Sequence, residues 1–381
     1  MSEWRKVRLG DIAEFSNGVN FDKTAYAPGV KLIGVSDFGN RYYPNYDELK
    51  EVQSEVVKDN NYLRDGDIVF VRSNGNKELV GRCMLICNPP MPVTYSGFCI
   101  RCRFYNPAEY APAFFAYLFK TASFRQAMSG NAVGANIQNL SQGRLNSYIA
   151  DVPDYPTQER IADILSAYDN LIENNQKQIK LLEEAARRLY KEWFVDFRFP
   201  GYESVPIIDG VPQGWRKVSL TDLLEIKYGK AHQTLESGDI PAYGSGGLVR
   251  KVKPVLYSGE SVLIPRKGSL NNILYVCGDF WTIDTMFYSV PLMPNVAKFA
   301  YLFLSGLDMN SFNIGAAVPS MTVNILDGMR VLLPTENILG EFDRMVSPFF
   351  ERKTVLLQQI EAATEARNRL LPVLMNGGIL N

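Results

Sequence analysis

The chain has a single histidine, His232, in 381 residues. That nearly excludes a His-based triad or a histidine metal cluster. No run of about 18 apolar residues occurs, so no membrane span is expected. Residues 1–15 have no apolar core of the signal-peptide kind, so export is not expected. The five cysteines, Cys83, Cys87, Cys99, Cys102 and Cys277, are an odd number. Together with the missing signal segment, this fits a reducing, cytoplasmic setting better than a disulfide framework. No Gly-x4-Gly-Lys-Ser/Thr loop is present, which argues against ATP use by this chain. A basic excess is also missing: net charge is −1, with 40 Lys+Arg against 41 Asp+Glu. Nucleic-acid binding, if it occurs, rests on local patches or on partners that neutralise phosphate.

Three short motifs suggest chemistry and are outweighed. Asn88-Pro89-Pro90-Met91 is like the Asn-Pro-Pro-aromatic motif of adenine methyltransferases, whose aromatic ring stacks on a flipped base. Here Met91 stands in the aromatic place and no glycine-rich methyl-donor turn accompanies it, so a double-proline loop is the expectation. Cys83-x3-Cys87 with Cys99-x2-Cys102 could suggest zinc. However, Phe98 to Cys102 reads as a strand, where residues three apart face opposite sides, so buried free thiols are expected. Asp47-Glu48-Leu49-Lys50 holds the Glu-x-Lys of some nucleases and is taken as surface charge. No metal or cofactor is assigned to the chain.

The dominant feature is an internal repeat. Trp4-Arg5-Lys6-Val7 returns as Trp215-Arg216-Lys217-Val218, an offset of 211 (215 − 4), and both copies continue to a glycine, Gly18 and Gly229. Gly66-Asp67 with Val69-Phe70-Val71 is matched to Gly259-Glu260 with Val262-Leu263-Ile264. Phe115-Ala116-Tyr117-Leu118-Phe119 is identical to Phe299-Ala300-Tyr301-Leu302-Phe303. Gly130, Ala132, Val133 and Asn139 are matched to Gly315, Ala317, Val318 and Asn324, and Pro156-Thr157 to Pro334-Thr335. The matches are collinear, as a duplication requires.

Each copy is followed by a helical stretch. Apolar residues fall at Ile172, Ile179, Leu182, Ala186, Leu189 and Trp193, and again at Phe349, Leu356, Ile360, Ala363, Leu370 and Leu374, which is a heptad seam. Gln178-Ile179 aligns with Gln359-Ile360 at an offset of 181 (359 − 178). Within the copies, runs such as Ile68 to Val71 and Met286 to Val290 are β-branched or aromatic and read as strands. The expected fold is α+β: two β-rich globules, residues 1–155 and 200–335, alternating with two helical segments, 156–199 and 336–381, that pair as an antiparallel coiled coil.

That layout resembles the specificity subunits of Type I restriction–modification systems over essentially the whole chain. The run from Leu189 through Trp193-Phe194-Val195-Asp196-Phe197 to Gly201 looks like the end of the family's central helical region. Arg369 to Gly377 resembles its closing motif, and Pro156-Thr157-Gln158-Glu159 resembles the opening of its first helix. Tyr243-Gly244-Ser245 and Ile264 to Ser269 resemble recognition-domain motifs. The second copy reads Pro334-Thr335-Glu336-Asn337-Ile338, lacking the Gln-Glu pair. The resemblance implies that each globule is a target-recognition domain for double-stranded DNA and that the paired helices are a spacer and docking platform. It also implies partners: two methyltransferase subunits and restriction motor–nuclease subunits.

Base readers need polar side chains in a groove, positioned by phosphate contacts. Candidates in the first copy are Arg72, Ser73, Asn74, Asn76 and Lys77 after a strand, and Asn136 with Gln138. In the second copy they are Lys230, Ser245, Arg266, Lys267, Ser269 and Asn272. Against each stands an ordinary solvated turn. Trp193, Phe194 and Phe197 are candidates for partner docking, against simple packing of the helix end. Two other functions compete with a DNA reader: a self-contained DNA methyltransferase or nuclease with unrecognised motifs, and a coiled-coil adaptor for proteins.

Overall fold

The computed structural model describes residues 4–39, 41–74, 79–128, 138–315 and 317–378. The chain divides into two compact units. One comprises residues 1–174 with 359–381, and the other residues 175–358.

The first unit is built on an antiparallel sheet in the order Ala13–Asn17, Cys99–Phe104, Ile68–Val71, Cys83–Leu85. The second repeats it as Leu224–Tyr228, Met286–Pro291, Tyr257–Pro265, Leu274–Thr282. In both, the next element pairs in parallel. Val30–Ile33 lies beside Val93–Tyr95 in one, and Ile240–Gly244 beside the end of Leu274–Thr282 in the other. The second unit thus uses one nine-residue strand where the first uses two short ones. Asn88-Pro89-Pro90 falls in the gap between those two, and prolines cannot donate to a ladder, so the double proline divides the strand. Each globule is closed by its own ends: Arg5–Arg8 pairs with Ile149–Val152, and Arg216–Ser219 with Arg330–Leu333.

The structure keeps the duplication and moves its register at three places. Val71 pairs with Cys99, and Pro265 with Met286, while Gly18 and Gly229 donate to the carbonyls of Cys99 and Met286 respectively. Phe70 is therefore the counterpart of Ile264, one residue away from the sequence match. A one-residue shift exchanges the two faces of a strand, and Ile68 and Phe70 occupy the helix-side core just as Val262 and Ile264 do. The counterpart of Asn139 is Ser320 rather than Asn324, because Leu140 and Met321 donate to the carbonyls of Arg72 and Arg266. From there the copies run without a gap at an offset of 181, so Pro153 rather than Pro156 matches Pro334. This also accounts for the missing Gln-Glu pair. Gln158 is fully buried, donating to the carbonyls of Pro153 and Glu109 and accepting from the Ala111 amide. Its counterpart, Leu339, fills the same buried place with an apolar side chain.

The two helices are Tyr155–Phe194 and Glu336–Met375, each of 40 residues. Pro156 sits in the first turn of the central helix, where its missing N–H costs nothing. The C-terminal helix runs through both Pro348 and Pro372 rather than only between them. Both prolines are exposed, where water can satisfy the carbonyls they leave unbonded. In the first unit, Ile161, Ala162 and Leu165 of the central helix share a core with Leu374 and Met375 of the C-terminal helix. In the second, Ala186, Trp193 and Phe194 share one with Leu339, Phe342, Val346 and Phe350. The start of each helix therefore meets the end of the other, as antiparallel pairing requires. Among the described residues no helix is long and apolar enough to cross a membrane.

The cysteines follow strand alternation. Cys102 faces the helix-side core with Cys83, and Cys99 faces the opposite cluster. Burial pushes the Cys99 thiol up to about 12 and raises those of Cys83 and Cys102.

Gly18 and Gly229 mark a close backbone approach made twice. A Cβ at Gly18 would lie 2.3 Å from the Ser96 carbonyl oxygen, and one at Gly229 2.0 Å from that of Ile283. Gly229→Ala is expected to destabilise the second globule by at least about 1–3 kcal/mol, the usual cost of overpacking. Gly143→Ala, which meets nothing within 4 Å, is expected to be near neutral. Equal melting temperatures for the two variants would contradict this.

Candidate nucleic-acid interface

The candidate loops gather at one rim of each globule. In the first unit Ser73–Asn74 forms a two-residue ladder with Gln138–Asn139, Asn74 opposite Gln138. Two candidate segments far apart in sequence thus lie on adjacent backbone. Arg72 precedes them, half-buried. Its amide donates to the Phe98 carbonyl, and its guanidinium to that of Gly97 at 3.3 Å. Ser73 is half-buried beside it. Asn76, Lys77 and Asn136 lie outside the described residues.

The second unit repeats this frame. The Arg266 amide donates to the Thr285 carbonyl, and its guanidinium to that of Asp284 at 3.1 Å. Arg72 and Arg266 are therefore equivalent, each fastening the strand end to the turn before the next strand. Arg266 also lies over the ring of Tyr228, 5.3 Å from its centroid, a cation–π contact. Lys267 is exposed and forms an isolated bridge with Ser320, the counterpart of the Ser73–Asn139 pair.

The remaining candidates of the second unit surround the same turn. Gly268 has φ +90° and donates to the Pro319 carbonyl; a Cβ there would lie 3.0 Å from Ser245 Oγ. Ser269 is exposed. Asn272 Nδ2 donates to the Ser245 carbonyl at 2.9 Å, and the Ser245 amide to Thr285 Oγ1 at 3.4 Å. Lys230 is exposed, its amide on the Thr282 carbonyl and its own carbonyl accepting from Trp281 Nε1. Lys230, Ser245, Arg266 and Lys267 thus converge on residues 282–285 from three separate segments, and Asn272 joins them through Ser245. Of these, Lys267 and Lys230 present exposed charge, whereas Asn272 and Arg266 already serve the loop framework.

Sequence reasoning missed part of this rim. Tyr228, 56% exposed, is hidden among strand aromatics in the sequence, Val318, 55% exposed, stands out there only as a repeat match, and Ile314, 62% exposed, carries no signal. Exposed apolar groups beside cations suit contact with sugars and base edges.

The three aromatics proposed for docking are placed differently. Trp193 and Phe194 are 4% and 6% exposed. Phe194 packs against Phe299, Phe342 and Trp215 at centroid distances of 4.9, 4.7 and 5.8 Å, and Trp193 against Phe342 at 5.6 Å. Both serve the core of the second unit, so burial removes them from any docking surface. Phe197 is half-buried, with φ +57°, edge-on to Trp215.

The comparisons with known proteins agree with this architecture. The model of the family described as Type I restriction modification DNA specificity domain matches residues 1–184 and again residues 212–365. The Type I restriction enzyme MjaIX specificity subunit of Methanocaldococcus jannaschii is 28% identical over 291 residues, 68% of this chain and 67% of the relative. The HindI specificity subunit of Haemophilus influenzae is 22% identical with all of both chains covered. Among solved structures, the S subunit of a Type I restriction–modification system from M. genitalium superposes with a TM-score of 0.63. It is 16% identical, covering 98% of this chain and 96% of that one, a likeness of fold. With two copies of the family's domain, a mixed fold of two β-rich globules and two long helices, and candidate loops on equivalent rims, this chain belongs to the Type I restriction–modification DNA specificity family.

Proposed function

We propose that this chain is the non-catalytic, sequence-reading subunit of a cytoplasmic Type I restriction–modification complex. Each globule reads one half of a bipartite, asymmetric double-stranded DNA target. The paired helices set the distance between the halves and carry two methyltransferase subunits, with restriction motor–nuclease subunits joining for cleavage. The carrying observation is one frame with two contents. Arg72-Ser73-Asn74 beside Gln138-Asn139, and Arg266-Lys267-Gly268-Ser269 beside Ser320, stand on the same backbone scaffold and offer different donors and acceptors. A duplicated reader of two unlike half-sites needs that combination. The near-zero net charge assigns much of the phosphate neutralisation to partners. No cofactor is required of this chain, since methyl transfer belongs to the partner subunits.

The test is DNA binding by the chain assembled with its methyltransferase subunits. Lys267→Ala removes an exposed charge without disturbing the Arg266 framework. It is expected to weaken binding on all sequences and to lower the slope of log affinity against log salt by about one. Arg266→Ala is expected to weaken binding further, because it also releases the loop. Unchanged affinity and slope in both variants would return this loop to the solvated surface.

A further inference from the structure

We propose that the two long helices carry a pairing code that makes the central helix take the C-terminal helix of its own chain and refuse a second central helix. The helices have equal length and identical placement after their globules, at an offset of 181 (336 − 155). They could therefore pair like with like between two copies of the chain, and their contents at equivalent positions decide against it.

In the first unit, Asp169 of the central helix is 6% exposed. It accepts from Tyr117 Oη at 2.7 Å and from the guanidinium of Arg367 on the C-terminal helix. The counterparts in the second unit are Phe350 for Asp169, Ala186 for Arg367 and Tyr301 for Tyr117. There the ring of Tyr301 lies edge-on to Phe350 at 5.6 Å, and Ala186 lines the same small apolar pocket. One joint is a buried ion pair and its twin is apolar. A second joint has the opposite arrangement. Glu183 of the central helix meets Lys353 of the C-terminal helix at 2.6 Å in the second unit, while the counterparts in the first are Thr364 and Ile172. At both joints the acid belongs to the central helix and the base to the C-terminal one.

Antiparallel pairing of two central helices would set Asp169 against Ala186 and Glu183 against Ile172 of the other copy. Pairing of two C-terminal helices would set Arg367 against Phe350 and Lys353 against Thr364. Every one of these leaves a charge at a partly buried seam without its ion partner, which is heavily disfavoured. The correct pairing satisfies all four charges, so specificity comes from the penalty on the alternatives.

The full-length chain tests this. The double variant Ala186→Arg/Arg367→Ala makes each helix complementary to itself at the first joint, Asp169 with Arg on the central helix and Phe350 with Ala on the C-terminal one, and leaves the Glu183–Lys353 joint as it is. Light scattering is expected to show its mass doubled relative to wild type, or the folded single chain lost. The quadruple variant Asp169→Phe/Ala186→Arg/Phe350→Asp/Arg367→Ala exchanges the two joints whole, and Tyr301 is in place to donate to the new carboxylate. It is expected to recover the wild-type mass and most of its melting temperature. Two results would overturn the code: a double variant with wild-type mass and melting temperature, or a quadruple variant no better folded than the double.

Discussion

Adding four residues after Gln178 and four after Gln359 is expected to lengthen the unread spacer of the methylated target by one or two bases and to leave both half-sites unchanged. The chain passes between its compact units only at residues 174–175 and 358–359, and both crossings lie inside uninterrupted helix. Four helical residues add about 6 Å, and B-DNA rises about 3.4 Å per base pair. Inserting in both helices keeps their pairing in register. Asp169 and Arg367 both lie on the first unit's side of the insertions, and Glu183 and Lys353 both on the second's. An insertion in one helix alone separates those partners and is expected to abolish assembly. The methylated motifs of cells carrying each variant give the readout. The original spacer, from a paired variant confirmed folded and assembled, would mean that the helices are not the ruler.

Much of this architecture is legible in the sequence because duplication writes it twice. Trp4 and Trp215, the repeated Phe-Ala-Tyr-Leu-Phe, and the heptad positions of two equal helices identify the copies without any structure. The details that sequence mis-registers have a common cause. Ile68 to Val71 and Val262 to Ile264 are apolar at every position, so nothing in them selects between registers one residue apart; only the ladders to Cys99 and Met286 do. Pro156 attracts a match to Pro334 although position 158 is filled by buried Gln in one copy and its counterpart by buried Leu in the other.

The rim is legible as loops and not as a surface. Asn74 and Gln138 come together through a two-residue ladder that no periodicity announces. The framework role of Arg72 and Arg266 depends on carbonyls of Gly97 and Asp284, distant in the chain. Trp193 and Phe194 were ambiguous because a helix end rich in aromatics looks the same whether it packs inward or outward, and the second globule's core resolves them inward.

The measurement that tests the central claim most directly is a map of methylated adenines after exchanging residues 1–155 for the first globule of a relative with a different target. The exchange ends at Tyr155, the first residue of the central helix, so the rest of that helix, the C-terminal helix and the whole second globule keep their own sequence. Each globule is closed by pairing its own first and last strands, Arg5–Arg8 with Ile149–Val152 and Arg216–Ser219 with Arg330–Leu333, so the exchanged piece carries its complete sheet and rim with it. Cells lacking the gene should lose the methylated motif altogether, and cells with the native chain should show a split motif with two unlike halves. The exchange should replace one half completely, leaving the other half and the spacer as they were. A motif altered in both halves, or one unaffected by loss of the gene, would contradict two independent readers on one scaffold.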